Sequence, residues 1–142
     1  MVKQTAGRDA LTGFADDFAR YNDDVLFGEV WNNPNISLHN RSMITISCLV
    51  GKGIVDDSLK YHITTAKKNG VTKEEMASML TQLGFYAGWP NAWAALKMAR
   101  EVYKDGGSHG GMFGLGSFNE AYKQYFIGNS YLNPLTKPTD NV

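Results

Sequence analysis

An all-α fold is predicted by three features of the chain. Apolar residues recur at three and four along most of its length, glycine or proline separates the periodic blocks, and residues suited to helix starts stand at Asn40, Asp56, Thr72, Pro90 and Ser117. With 142 residues the chain is long enough to bury the core of one domain. Lys plus Arg and Asp plus Glu both total 14, so no single-sign field is present to attract nucleic acid or an anionic membrane. No run approaches the roughly 18 to 20 apolar residues of a membrane helix, and the N-terminus MVKQTAGRDA lacks an apolar signal core, so a cytoplasmic location is expected. A single cysteine, Cys48, excludes an internal disulfide or a Cys-rich zinc cluster.

The first helical block covers residues 9–31, with Leu11, Phe14, Phe18 and Tyr21 at helical spacing and a break expected near Asn22. Pro34 ends a short loop. Asn40 is then placed to cap a helix over residues 41–50, where Met43, Ile44, Ile46, Cys48, Leu49 and Val50 are apolar on nearly every side and predict a central helix. Asp56 caps the next helix, whose stripe of Leu59, His62, Ile63 and Ala66 turns His62 inward before Gly70 closes it. Thr72 and Glu75 have the spacing of a capping box, followed by Met76, Met79, Leu80 and Leu83 on one face. Pro90 fits a first helical turn, and Trp93, Leu96 and Val102 continue that helix to about Lys104.

These elements make residues 1–104 one helical domain, with residues 105–142 as a hinge and arm of the same unit. The stretch GGSHGGMFGLG is glycine-rich, Ser117 and Glu120 offer a second capping box, and the tail carries two prolines. Tyr122, Tyr125, Phe126, Tyr131 and Leu132 are too many large side chains for a short arm to bury on itself, which points to homo-oligomerisation through it.

Few side chains offer chemistry. His62 on its apolar stripe is either a packed core histidine or a functional group. Glu29, between Phe27, Val30 and Trp31, either reaches solvent or serves in proton transfer. Cys48 in its apolar helix reads as an inert packing residue, with a redox role as the alternative. Phe85, Tyr86, Trp89 and Trp93 around a Gly-Trp-Pro turn form core, a subunit interface or the wall of a site for a small organic acid. His39 and His109 lack a second ligand at metal-binding spacing, and the glycine-rich stretch lacks a P-loop lysine, so neither a metal nor a phosphate site is predicted.

The blocks LFGEVWNNPNISLHNRSMITISCLV, YHITTAKKNGVTKEEM and GFYAGWPNAWAALKMAREV, in this order and spacing, resemble the carboxymuconolactone decarboxylase family over roughly residues 8–104. The resemblance implies an all-α, alkylhydroperoxidase-like helical fold assembled into trimers or hexamers, with sites at subunit contacts. It also implies cofactor-free decarboxylation or isomerisation of a small carboxylated lactone or related acid. The related alkylhydroperoxidase branch uses a CxxCxxxH motif in the same hairpin; His62 falls on its histidine, while Val55 and Ser58 stand at its two cysteines. Disulfide exchange needs an attacking and a resolving sulfur, so that peroxidase chemistry has no basis here.

Carried over by resemblance, His62 is the proton donor to carbon, with Glu29 orienting or recharging it. Arg41 holds a second carboxylate, Gln82 lies at the substrate, and Tyr86 and Trp89 form the wall. Ser42 stands where the family is expected to carry a carboxylate, and Gln82 where it often carries a histidine. Two alternatives accompany this reading: a thiol-dependent antioxidant using Cys48, and a non-catalytic small-molecule-binding homologue.

Overall fold

A computed structural model describes residues 1–104; the glycine-rich stretch, the Ser117 and Glu120 box and the aromatic arm lie outside the described residues. Helices α1 (Ala6–Leu11) and α2 (Asp16–Arg20) are followed by a π-helical segment (Tyr21–Val30), then by α3 (Leu38–Gly51), α4 (Asp57–Lys68), α5 (Lys73–Ala87) and α6 (Trp89–Val102). No strand occurs among the described residues, as the periodicity predicts. Two compact units are present, Met1–Arg41 and the remainder from Ser42, so that the division falls inside α3.

In the first unit the chain turns away from the expected single helix at residues 12–15 rather than at Asn22, which lies inside the π-helical segment. The break is set by side chains that capture the ends of short helices. Asp23, 3% exposed, accepts the backbone N–H groups of Gly7 (2.9 Å) and Arg8 (3.0 Å) and the side-chain amide of Asn22 (2.9 Å). These donors belong to the first turn of α1, where backbone N–H groups have no partner within the helix. Burial pushes the Asp23 carboxyl upward, but the hydrogen bonds from Asn22, Arg8 and Gly7 and the Arg8 charge together leave it below its ordinary value. At the other end, the Asn32 amide donates to the carbonyls of Val2, Phe27 and Gly28, and Asn32 Oδ1 accepts from the Val2 N–H. Phe27 stacks on Trp31 and both are buried, whereas Phe14, Phe18 and Tyr21 of the predicted stripe are exposed.

The second unit is built as the periodicity anticipates, with one difference in α3. That helix starts three residues before the expected Arg41 start. The Ser37 hydroxyl accepts the Asn40 N–H at 3.1 Å, so Ser37 takes the capping role assigned to Asn40. Its buried residues Ser42, Ile46 and Val50 recur every four positions, while Ile44 and Cys48 are exposed. The helix is thus one-sided, because a period of 3.6 places those two positions on the face opposite the core.

The other helix ends match their sequence signals. Asp56 accepts the Ser58 N–H at 2.9 Å, Gly70 has φ +93° after α4, Thr72 and Glu75 form the reciprocal capping box of α5, and Pro90 lies in the first turn of α6. Helix α6 packs on both α4 and α5. Ile46, Leu59, Ile63 and Leu80 are fully buried in the shared core. Each such side chain contributes about 1.5 to 3 kcal/mol on burial, against about 1 kcal/mol for a cap, so the core rather than the caps decides the packing.

Candidate active site

The residues singled out from the sequence divide between the units. Glu29 and Arg41 belong to the first, and Cys48, His62, Gln82, Tyr86 and Trp89 to the second.

His62 sits on α4 between the buried residues Leu59 and Ile63 and is itself half-buried. The ring of Tyr61 meets the imidazole edge-on, with centroids 5.0 Å apart. Burial holds the imidazole below its ordinary pKa, since a charged ring loses hydration there. The inward turn predicted by the stripe is therefore real but partial.

Gln82, Phe85 and Tyr86 on α5 and Trp89 at the start of α6 are all exposed, with Tyr86 at 83%; Gln82 and Tyr86, like Phe85 and Trp89, stand four residues apart. In the isolated chain this cluster is a solvent-facing aromatic ribbon rather than core. The Trp89 ring is seated on Gly84: a Cβ at that position would lie 2.7 Å from Trp89 Cε3 and Cζ3. The same ring meets Phe85 edge-on at 5.6 Å. Gly88, with φ +100°, turns the chain so that Trp89 can fold back over α5.

Gly84 was not among the residues read from the sequence as functional. Its signal was present, because an isolated glycine inside a helical run costs about 1 kcal/mol relative to alanine and calls for a packing reason.

In the first unit, Glu29 is exposed on the π-helical segment. Arg41 donates from Nη2 to the Asn33 carbonyl at 3.1 Å, while its Nε is buried without a hydrogen-bond partner. Part of the guanidinium thus holds its own loop.

Cys48 is exposed, which corrects its reading as a packing residue. Its outward position follows from the one-sided burial of α3. No group of three or more His, Cys, Asp or Glu side chains placed to hold a metal ion occurs among the described residues.

The Ser42 departure also has a structural account. Ser42 is fully buried, and the amide of Asn69, at the C-terminal end of α4, donates to its hydroxyl at 3.0 Å. The position ties α3 to the end of α4 and has no access to a substrate. Ser42→Ala is expected to lower stability by about 1 kcal/mol, the net value of one such bond, with the denaturant slope unchanged in a urea titration.

The sequence pattern of the carboxymuconolactone decarboxylase family matches residues 16–101, a span that includes every candidate residue above. The chain is 39% identical over 95 residues to the 4-carboxymuconolactone decarboxylase of Acinetobacter baylyi, covering 67% of this chain and 70% of that protein. It is 27% identical over 79 residues to a nitrosuccinic acid decarboxylase of Metarhizium robertsii, covering 56% of this chain and 54% of that protein. By the extent of the family match and the identity to the first of these relatives, the chain belongs to the carboxymuconolactone decarboxylase family.

Proposed function

We propose that this protein is a cofactor-free decarboxylase of a small organic acid bearing more than one carboxylate and an electron-withdrawing group. The observation that carries the reading is the 39% identity to a 4-carboxymuconolactone decarboxylase across a stretch that bears the half-buried His62. The two relatives are named for a carboxylated lactone and for nitrosuccinic acid. In both acids a carbonyl or nitro group can accept the electron pair left when the bond to the carboxylate carbon breaks.

In this reaction carbon dioxide leaves, the electron pair moves into the acceptor group, and a proton is delivered to carbon. His62 is the proton donor, and its partly apolar surroundings disfavour the departing carboxylate's charge. The Arg41 guanidinium is the group suited to a retained carboxylate, Glu29 is the second proton-transfer group, and Gln82, Tyr86 and Trp89 are the substrate-lining residues. Completing such a site calls for a homo-oligomer, a trimer or hexamer, in which exposed rings such as Phe18, Tyr86 and Trp89 are covered. No helix of the described residues is long and apolar enough to cross a membrane, and the lone cysteine suits the reducing cytoplasm, where we place this activity.

The test is incubation of the purified full chain with 4-carboxymuconolactone and, separately, nitrosuccinate, following carbon dioxide release, with light scattering on the same sample. Turnover of either acid by a species several times the 15.7 kDa chain mass is expected. Release no faster than in buffer with both acids overturns the reaction, and a monomer overturns the shared site.

A further inference from the structure

A cavity of about 470 Å³ lies in the second unit between the first turns of α5 and the end of α6. Met76, Ala99 and Tyr103 form buried parts of its lining, and Leu96 is partly buried beside them. Lys73, Arg100 and Lys104, all exposed, supply the charged part, and among the described residues no carboxylate lines the cavity. None of His62, Gln82, Tyr86 or Trp89 borders it, so it is separate from the site described above.

The N-terminal end of α5 and the C-terminal end of α6 border the same cavity, so their opposite partial charges offset each other. Lys104 is paired with Glu101 at 3.3 Å. Glu75 is turned back onto the Thr72 N–H in the capping box. Lys73 and Arg100 take part in none of these pairings and leave the cavity with a positive excess. Tyr103 adds no opposing charge: its hydroxyl donates to the Val71 carbonyl at 2.7 Å, and burial, with the Glu75 charge, pushes it up to about 12. An apolar floor with a few convergent cations, in a volume of small-molecule size, is the arrangement that holds an amphipathic acid.

We propose that this cavity is a second binding site, for an amphipathic organic anion whose ring or short hydrocarbon body lies on Met76, Leu96 and Ala99 while its carboxylate meets Arg100 and Lys73. Arg100 offers the planar pair of donors that suits a carboxylate, and Lys73 adds a point charge. This site is independent of the decarboxylase reading, since it neither contains nor borders His62.

The probe is 1-naphthylacetate, titrated calorimetrically into the full-length protein, with 1-naphthylacetamide as its uncharged counterpart. The acid is expected to bind more tightly than the amide and to weaken as salt is added. Arg100→Gln should weaken it about tenfold, the loss of one charge-assisted contact. Ala77→Trp, which fills the cavity from α5, should abolish binding while leaving the far-ultraviolet dichroism unchanged. Equal binding of acid and amide, unaltered affinity in both variants, or no binding of the acid each overturns the proposal.

Discussion

His62→Gln is expected to retain the helical dichroism and the assembly of the parent while lowering turnover by about two to four orders of magnitude, the usual contribution of a positioned general acid. Glutamine preserves much of the imidazole's volume and a hydrogen-bonding end, so the half-buried place between Leu59 and Ile63 is filled, but it cannot carry the proton. Equal turnover of the variant and the parent would remove His62 from the reaction.

The direction of the His62 shift gives this prediction a second readout. Burial lowers the folded pKa below the ordinary 6.5, so the unfolded chain binds more protons than the folded one around and below that value. Stability contributed by the neutral ring is therefore full above 6.5 and is lost as pH falls through the folded pKa. His62→Gln should flatten this part of the stability profile. Substrate acts in the opposite sense, because a carboxylate brought beside the imidazole favours its charged form. Binding of the acid should accordingly take up a proton near neutral pH, measurable by calorimetry in buffers of different ionisation enthalpy. Absence of uptake in the parent would show that the substrate's charge does not reach His62.

Gly84→Ala carries the other large effect. The added methyl would stand 2.7 Å from two carbons of the Trp89 ring, closer than side chains approach one another, so either the ring or the backbone of α5 must move. Overpacking of this kind costs about 1 to 3 kcal/mol. The preference of alanine over glycine within a helix returns at most about 1 kcal/mol of this, so the net change is destabilising. Because Trp89 also meets Phe85, displacement should alter the aromatic ribbon as a whole. The expected result is a shifted tryptophan emission maximum and a raised KM for the acid, with kcat less affected, since His62 lies on a different helix. An unchanged emission spectrum and KM would show that the seat of Trp89 does not set substrate contact.

Much of the second unit was legible because its signals are local and agree with one another. Asp56, Gly70, Thr72 with Glu75, and Pro90 each act within a few residues of themselves, and the stripes of α4 and α5 have the right period for one buried face. The errors have physical reasons. Asn40 and Ser37 are both good N-cap residues three positions apart, and composition alone does not choose between them. The run 43–50 is apolar enough to suggest burial on all sides, yet packing engages the Ser42, Ile46 and Val50 face and leaves Cys48 outside. In the first unit the break at residues 12–15 depends on Asp23 reaching back sixteen residues to the Gly7 N–H, and no local periodicity encodes such a contact. The candidate site was legible as residue types, through His62 and the aromatic ribbon. The seat under Trp89 was not, because it depends on the chain folding back at Gly88.

The outward position of Cys48 has a practical consequence. With one cysteine in the whole sequence, and that one exposed on α3, a maleimide or nitroxide reagent has a single destination on each copy of the natural chain. If the proposed homo-oligomer forms, dipolar coupling between nitroxides on neighbouring copies would report the spacing and number of its α3 helices without changing any residue, and would distinguish a trimer from a hexamer by their sets of distances.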